Sequence, residues 1–508
     1  MDRPMAELFL EVKNITKTFI GVKALDNVDL SIGKGEIHCL VGENGSGKST
    51  LIKIIGGVYK PDSGTITLDG TEYKSINAIE SIRAGVQIIY QDLSLFPNMT
   101  VAENIAMNQM LVSNNRVINW KHMHQDARKA LEEIGEDIDL YEKVENLSIA
   151  RRQIVAICRA LTQNARLIIM DEATSAITKD EVEHLFEVIA KLQKKGIAIL
   201  FVSHKLNEVF QIAERVTIIK DAKKVGVYPA SELNNDKMVF LMTGQNFKAE
   251  PYRYNGTSEP VLSVHDLNKT GQFSGISFDL KKGEILGITG LLGSGRTEIA
   301  LSLFGLNRLD SGEIRVNGKP LDIRSPRDAI AAGIAYLPED RLTQGLFAAH
   351  TVGNNIIITV LNELLNRFKI LVRSRQEDEK KSWIKKLNIK TPGHHSSASS
   401  LSGGNQQRVV IAKWLATKPA VFILDGPTIG IDIGSKHNIH EIIRDLARNG
   451  MSIIMISDEI PEILDNCNRV LVMAEGRIIK EIKDSTKVNE EELLDIVSSR
   501  NFVQGAAG

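Results

Sequence analysis

A glycine-rich stretch, "GENGSGKST" (42–50), has the residue types and the spacing needed to bind phosphate groups. The apolar run "IHCLV" precedes it and the helical pattern "STLIKIIGGVY" overlaps its end, which is the strand–loop–helix context that such a loop requires. Glycines let backbone N–H groups turn toward phosphate oxygens, Lys48 can reach the β- and γ-phosphates, and the Ser49 hydroxyl can bind Mg²⁺. The residues predicted to contact a nucleotide here are Gly42, Glu43, Asn44, Gly45, Ser46, Gly47, Lys48, Ser49 and Thr50.

Two adjacent carboxylates, Asp171 and Glu172, follow the apolar run "RLIIM". Asp171 can hold magnesium through water, and Glu172 can orient or deprotonate an attacking water molecule. An isolated Asp-Glu pair at a strand end more often caps a helix or faces solvent. The phosphate-binding loop upstream favours the catalytic interpretation.

Two further polar residues end apolar runs, Gln91 after "IIY" and His204 after "AILFVS". Gln91 is suited to contact both the metal and the attacking water, and His204 could hydrogen-bond the γ-phosphate. A lone histidine is more often structural, but its place at a strand end favours a role in the site. We therefore predict Glu172, His204 and Gln91 as catalytic residues, and Ser49, Gln91 and Asp171 as magnesium ligands.

Two other segments could complete a nucleotide site. Phe19, in "TKTFIGVKAL", is a candidate stacking surface for adenine, with a role in the core as the alternative. The stretch "LSGGNQQR" (401–408) opens a helix with a serine and two glycines, so its hydroxyl and free amides form an anion site. Ser402 lies 23 residues before Asp425, and Asp425 ends a second carboxylate strand. The candidate contacts are Ser402, Gly403, Gly404, Asn405 and Gln406.

The chain contains the same unit twice. Gly42 and Gly290 are 248 positions apart, as are Gln91 and Glu339, whereas Asp171 and Asp425 are 254 apart. The second copy has therefore gained a net six residues between 339 and 402. We predict two homologous domains, 6–244 and 261–503, joined by the polar linker 245–260. Alternating β-branched runs and amphipathic stretches indicate α/β domains with a largely parallel sheet, and 92–146 and 340–400 have the pattern of helical inserts.

In their order, the phosphate loop, the glutamine, the "LSGG" signature, the Asp-Glu strand and the strand-end histidine resemble an ATP-binding cassette (ABC) nucleotide-binding domain. The tandem arrangement, with "GLLGSGRTE", "LPEDR" and "LSGGNQQ" in the second half, resembles the ATPase subunit of bacterial monosaccharide importers. This resemblance implies tandem P-loop domains, each with a RecA-like α/β core, an antiparallel β subdomain and a helical insert. It also implies a head-to-tail sandwich in which each signature completes the opposite domain's ATP site.

The resemblance further implies partners and a location. ATP and Mg²⁺ are the expected cofactors, and the expected partners are a dimeric membrane permease and an extracytoplasmic solute-binding protein. The chain would then lie on the cytoplasmic face of the bacterial membrane as a peripheral protein. The segment "DLSLFPNMTVAENI" (92–105) is predicted to grip the permease, and a solvated helix and loop is the alternative.

The motifs of the two halves can be assigned to the two composite ATP sites that the sandwich implies. Every residue that departs from the expected motif then falls in one of these sites. Arg296 replaces the lysine, Glu298 adds a negative charge, and Gly426 replaces the catalytic acid. The signature facing that site is "LSIARRQ" (147–153), with Ile149 and Ala150 in place of two glycines. We therefore predict turnover at the first site only, and a second site of Gly290, Gly293, Gly295, Arg296, Thr297, Glu339, Asp425, Gly426, Asp458 and Ser148 that does not hydrolyse ATP.

Composition and charge narrow the classes of partner and of bound group that we expect. Lys+Arg 62 against Asp+Glu 63 leaves a net charge of −1, so a nucleic-acid partner is not expected. No apolar run is long enough to cross a bilayer, and three isolated cysteines suggest neither zinc nor disulfides. The histidine pairs in "HMH" and "GHHSS" have no complementary acid spacing in the sequence.

Two other protein classes, and several other solutes, stay open beside a monosaccharide importer. A soluble tandem cassette acting on ribosomes would normally keep both catalytic acids and a long charged linker. A non-catalytic ATP-binding regulator conflicts with the full set of catalytic residues in the first half. The imported solute is not readable from this chain, and a nucleoside, an autoinducer sugar or a sugar alcohol are alternatives to a pentose or hexose.

Overall fold

A computed structural model describes residues 7–90, 92–112, 119–174, 177, 179–203, 205–245, 252–254, 256 and 259–498. The chain divides into two compact units, Met1–Phe247 and Lys248–Gly508. This division falls inside the predicted linker, 245–260. Among the residues described, no helix combines the length and the apolar character needed to cross a membrane.

Among its described residues, the first unit contains ten strands. They are β1 (Leu8–Phe19), β2 (Val22–Gly33), β3 (Ile37–Val41), β4 (Ser63–Leu68), β5 (Thr71–Tyr73), β6 (Val86–Ile89), β7 (Leu167–Asp171), β8 (Ala198–Val202), β9 (Arg215–Lys220) and β10 (Lys223–Pro229).

These strands form two sheets. A six-stranded sheet has the order β10-β9-β3-β8-β7-β6 and is parallel except for its β9–β10 edge, while β2-β1-β4-β5 forms a four-stranded antiparallel sheet. Every residue of β3 and β8 is buried, as expected for parallel strands covered on both faces. The predicted parallel sheet and the antiparallel subdomain are both confirmed.

The described part of the first unit also contains eight α-helices. They are α1 (Lys48–Ile55), α2 (Ala78–Arg83), α3 (Val101–Val112), α4 (Trp120–Ile134), α5 (Ile149–Thr162), α6 (Lys179–Lys194), α7 (Leu206–Ile212) and α8 (Asn235–Thr243), with 3₁₀ turns at Val144–Asn146 and Ala230–Glu232. Helices α3 and α4 pack on each other and on α5, so the predicted helical insert is confirmed.

The second unit repeats this arrangement. Its antiparallel sheet has the order β12-β11-β14-β15, and its mainly parallel sheet has the order β16-β17-β18-β13-β19-β20. The strands are β11 (Pro260–Lys269), β12 (Phe273–Lys281), β13 (Ile285–Gly290), β14 (Ser311–Val316), β15 (Lys319–Leu321), β16 (Ile334–Leu337), β17 (Val421–Asp425), β18 (Ser452–Ile456), β19 (Arg469–Ala474) and β20 (Arg477–Ile482).

The helices of the second unit follow the same plan. They are α9 (Arg296–Leu303), α10 (Pro326–Ala331), α11 (Val352–Ile357), α12 (Arg373–Lys386), α13 (Gly403–Leu415), α14 (Ile433–Arg448), α15 (Ile460–Asn466) and α16 (Glu490–Ser498), with a π-helical turn at Arg341–Gly345 and 3₁₀ turns at Ile358–Leu364, Ala398–Ser400 and Ser485–Lys487. Helix α16 packs on α15 and β19 of its own unit.

The six extra residues of the second unit lie in two places. In the first unit the side-chain amide of the buried Asn104 accepts from the Phe96 N–H at 2.8 Å and donates to the Phe96 carbonyl oxygen at 3.0 Å. In the second unit Asn355 makes the same two hydrogen bonds to Phe347. These pairs are 251 positions apart, so three residues were gained before Phe347, where the π-helical turn lies.

The other three extra residues lie between Thr351 and Ser397, in the segment that leads to the second signature. A β-bridge joins Thr100 to Lys143 in the first unit, and the equivalent bridge joins Thr351 to Ser397 in the second. The first members of these bridges are 251 positions apart and the second members 254 apart. The two units therefore differ beside the second phosphate loop and beside the intact signature.

Candidate active site

The phosphate-binding loop of the first unit joins β3 to α1, as predicted. Gly47 has a φ of 109°, which favours glycine, and a Cβ there would lie 2.4 Å from the Ala24 carbonyl oxygen. A Cβ on Gly42 would lie 2.2 Å from the Ile219 carbonyl oxygen. Glycine is required at both positions, because the loop runs directly against neighbouring backbone.

Lys48 is buried at the start of α1, with 6% of its surface exposed. Its ammonium donates to the carbonyl oxygens of Gly42, at 2.7 Å, and Glu43, at 2.9 Å. The positive charge is therefore fixed inside the loop, where it can meet phosphate oxygens. Ser49 and Asn44 are exposed on the same loop.

Asp171 ends β7 beside Val202 of β8. Burial raises the pKa of Asp171, the neighbouring Glu172 carboxylate raises it further, and the charge of Lys48 opposes both effects. The carboxylate pair and the loop lysine thus act on each other electrostatically within the first unit. The sequence assigned these three residues to one nucleotide site, and that assignment stays a prediction.

Glu172 has an unusual backbone conformation. Its φ is 51°, in the left-handed region, and its N–H donates to the Val202 carbonyl oxygen at 3.0 Å. A residue with a Cβ in this region costs about 1–2 kcal/mol. Such strain is found mainly at functional sites, where neighbouring structure enforces it.

Glu208, a buried residue of α7, was not among the predicted site residues. Its carboxylate accepts hydrogen bonds from Thr174, at 2.6 Å, and from Ser203, at 2.8 Å. Thr174 follows Glu172 by two residues and Ser203 precedes His204, so one acid holds the segments that carry both predicted catalytic groups. Each member recurs 254 positions later, as Thr428, Ser457 and Glu462, with hydrogen bonds of 2.5 Å. The repeat register was the signal that could have identified this group.

Three predicted residues need separate mention. Gln91 and His204 lie outside the described residues, so their roles stay predictions. Phe19 ends β1 with 38% of its surface exposed and its ring edge-on to Tyr59, 5.2 Å between centroids. This exposure argues against the alternative core role, and adenine stacking stays a prediction.

The two signatures begin their helices differently. The Ser148 hydroxyl caps α5 by accepting from the Arg151 N–H at 3.4 Å, whereas the Ser402 hydroxyl accepts from the Asn405 side chain at 2.9 Å. A Cβ on Gly404 would lie 2.2 Å from the Ser435 hydroxyl. Within the described part of the chain, the Ser402 hydroxyl makes no cap bond to its own helix.

The second unit keeps the shape of the phosphate loop but changes its charges. A Cβ on Gly290 would lie 2.2 Å from the Met473 carbonyl oxygen, and Gly295 has a φ of 97°. Burial lowers the pKa of Arg296, and the nearby carboxylates of Asp458 and Asp425 raise it. A guanidinium surrounded by acids thus replaces the ammonium of the first loop.

Asp425 ends β17 and is more deeply buried than its counterpart Asp171. Burial raises its pKa to about 6, against hydrogen bonds from Thr297 and from the Tyr336 hydroxyl, whose oxygen lies 3.2 Å away. Tyr336 corresponds to Ile88 of the first unit and was not predicted. A cavity of ≈ 490 Å³ lies beside this group, and Thr297, Tyr336 and Glu339 contribute to its lining.

The loop before the second signature and helix α12 together place three possible metal ligands close to one another. Glu377 of α12, His394 and His395 place donor atoms within 4.8 Å of one another. Sequence spacing did not predict this acid, because α12 supplies it from a different segment. The Lys380 ammonium already lies 3.2 Å from Glu377, and we interpret the group as an ion-pair cluster that fastens the loop to α12.

Comparison with known proteins gives consistent matches over both units. The family model described as "ABC transporter" matches residues 25–175 and 273–429. The ribose import ATP-binding protein RbsA of Clostridium perfringens (strain 13) is 43% identical over 494 residues, 97% of this chain and 98% of that protein. The galactose/methyl galactoside import ATP-binding protein MglA of Clostridium tetani is 40% identical over 490 residues, 95% and 97% of the two chains. A solved nucleotide-free ATP-binding cassette from an ABC transporter aligns with 47% of this chain and all of its own at 26% identity, with a TM-score of 0.43.

Proposed function

The chain belongs to the ABC transporter family of ATP-binding proteins, and on that premise we propose that it is the ATP-hydrolysing subunit of a monosaccharide importer. The observation that carries this proposal is the contrast between the two units. The first has Lys48 and Glu172, where the second has Arg296 and Gly426. ATP turnover therefore occurs at the loop of the first unit.

The first loop has the groups that phosphoryl transfer needs. The fixed Lys48 ammonium meets the β- and γ-phosphates, and Glu172 orients or deprotonates the attacking water. The half-buried Asp171 carboxylate and the exposed Ser49 hydroxyl form an oxygen donor set that fits Mg²⁺. When bound, the ion supplies positive charge to the phosphate oxygens.

The second loop does not hydrolyse ATP under this proposal. Gly426 removes the general base, a loss of about 10²–10⁴ in rate. The planar Arg296 guanidinium does not substitute for a compact ammonium. Thr297, Asp425 and the loop glycines are left as groups that could hold a nucleotide without turnover.

The distribution of motifs supports a composite first site. The intact signature, Ser402 to Gly404, belongs to the second unit, and the substituted signature, with Ile149 and Ala150, belongs to the first. We assign the intact signature to the γ-phosphate of ATP bound at Lys48. All substitutions then fall in the other site.

The relatives support the choice of import. RbsA and MglA are import ATP-binding proteins for ribose and for galactose or methyl galactoside, and they match nearly the whole chain. We accordingly assign a permease dimer and an extracytoplasmic solute-binding protein as partners, and the cytoplasmic membrane face as location. Phe96 and Phe347, about half exposed beside each helical insert, are the candidate permease contacts. Action on ribosomes and nucleoside import are the alternatives.

Transport assays with matched variants test this function. The chain is assembled with its permease in proteoliposomes, and ATP hydrolysis and uptake of labelled ribose, galactose, xylose and a nucleoside are measured. Glu172→Gln should abolish both activities. Glu475→Gln is the control, because Glu475 is an exposed acid with the same left-handed φ, 47°, outside the site. ATP hydrolysis that survives Glu172→Gln would refute the single-site proposal, and uptake of the nucleoside alone would replace the sugar assignment.

A further inference from the structure

Arg341 begins the π-helical turn of the second unit, and the described residues of the first unit form no such turn. Its Nη1 donates to the Ile429 carbonyl oxygen at 2.6 Å, and its Nη2 donates to the Gly430 carbonyl oxygen at 3.0 Å. These two carbonyls belong to the loop that follows Gly426. One guanidinium thus joins the segment after β16 to the loop after β17.

The same guanidinium lies against the start of the intact signature helix. Its Nε donates to the Gln406 side-chain oxygen at 3.5 Å, a long contact. A Cβ added to Gly403 would lie only 2.9 Å from Nη2. The first signature glycine therefore leaves the space that Arg341 occupies, and the first turn of α13 packs directly on the guanidinium.

The turn that carries Arg341 is fixed at both ends. Asp340 accepts from the N–H groups of Leu342 and Thr343, at 2.9 and 3.1 Å. At the other end, the buried Lys413 of α13 donates to the Gly345 carbonyl oxygen at 2.5 Å. The guanidinium is accordingly supported by the same helix that it contacts.

The first unit has a simpler connection at this place. Arg159 of α5, the counterpart of Lys413, donates to the carbonyl oxygens of Leu93 and Ser94, at 3.0 and 2.7 Å. The corresponding stretch, 92–95, is three residues shorter and has no arginine. The additional connection through Arg341 is thus a property of the unit that carries the intact signature.

We propose that Arg341 is a positioning residue for ATP hydrolysis: it holds the intact signature helix in register with the loop after Gly426. This inference rests on the proposed function, in which that signature completes the Glu172 site. A planar fork is needed, because two successive carbonyls are bound by separate nitrogens, and a lysine ammonium reproduces this geometry poorly. The second unit, which has the altered phosphate loop, then sets the position of the signature that completes the Glu172 site of the first unit.

The test compares Arg341→Gln and Arg341→Lys with Arg408→Gln in the full chain assembled with its permease. Arg408, which lies on the signature helix α13, is the matched control. Its Nη1 donates to the carbonyl oxygens of Leu387 and Asn388, at 3.1 and 2.7 Å, away from the Gly426 loop. Hydrolysis of Mg-ATP gives kcat and KM, and circular dichroism gives the folded fraction to which each kcat is referred. Glu172→Gln is measured in parallel.

Arg341→Gln should lower kcat by about tenfold or more, as expected when a reacting group is displaced, with KM changed less than about threefold because the first loop binds ATP itself. Arg341→Lys should fall between this variant and the unaltered protein. Arg408→Gln should lower kcat by less than about twofold. Equal kcat for Arg341→Gln and Arg408→Gln would overturn the positioning role. Activity that survives Glu172→Gln would instead refute the proposed function.

Discussion

Glu172 and Gly426 occupy the same left-handed backbone conformation, with φ of 51° and 54°, at the same point of the two units. Each donates its N–H to the neighbouring strand, to Val202 and to Ile456, at 3.0 and 2.9 Å. The fold therefore requires this conformation whether or not the acid is present. The active unit bears the strain because the acid is needed there, and the second unit has the residue that relieves it.

Replacing Glu172 with glycine should separate stability from activity. We expect Glu172→Gly to stabilise the first unit by up to about 1 kcal/mol, because relief of left-handed strain exceeds the added entropy of the unfolded chain. The same change should abolish hydrolysis. Calorimetric unfolding together with an ATPase assay measures both effects.

Glu475→Gly is the control for that experiment, since it relieves a comparable φ of 47° in an exposed turn. It should give a similar gain in stability with full activity. A loss of stability in Glu172→Gly alone would show that its side chain stabilises the fold.

Restoring an acid to the second unit should not restore turnover. A Cβ on Gly426 would lie 2.4 Å from the Ile429 side chain, so Gly426→Glu should destabilise by about 1–3 kcal/mol. We expect no hydrolysis from Gly426→Glu in a Glu172→Gln background, even after Ile429→Ala removes the clash, because Arg296 is still present. Recovered ATPase activity in that triple variant would contradict this account of the second site.

The buried Asp425 should make stability depend on pH. Its pKa is about 6 in the fold against 3.8 when unperturbed, so the folded state binds the proton more tightly than the unfolded chain. The stability this gives is complete below 3.8 and is lost as the pH rises to 6, a penalty of roughly 3 kcal/mol at most. Asp425→Asn should therefore be more stable than the unaltered protein above pH 6, by an amount that shrinks as the pH falls to 5. Unfolding measured from pH 5 to pH 8 checks this, and a gap independent of pH would exclude the effect.

The duplicated Glu208 group offers a paired test of positioning. Glu208→Gln should lower kcat by about tenfold, since the segments it holds carry Glu172 and His204. Glu462→Gln removes the equivalent acid from the second unit and should change kcat much less. Steady-state ATPase measurements on both variants decide this, and equal losses would mean that the two groups serve stability alone.

Sequence patterns predicted the parts of this site that are local in the chain. Lys48 and Asp171 could be placed because a glycine-rich loop between a strand and a helix, and an acid at the end of an apolar run, have few alternative structures. Glu208 could not, since a single acid near the start of a helix looks like ordinary surface charge until the fold surrounds it. Tyr336 was hidden for a similar reason, because its hydroxyl gains meaning only from Asp425 on the next strand.

The backbone and the insertions were also beyond sequence patterns. Nothing in "MDEAT" indicates a positive φ at Glu172, because the neighbouring strand enforces it. The six-residue gain was counted correctly but could not be divided without Asn104 and Asn355 as landmarks. Arg341 was noticed only as part of "LPEDR", since its partners are backbone carbonyls some ninety positions away.

Ile429 makes the return of an acid at position 426 sterically costly. Its side chain fills the volume beside Gly426 that any new side chain would enter. A single mutation that returned glutamate would meet a steric barrier before it could confer any advantage. A return of the acid would therefore need a second change at Ile429 that by itself brings no turnover, and Arg296 would still occupy the place of the lysine.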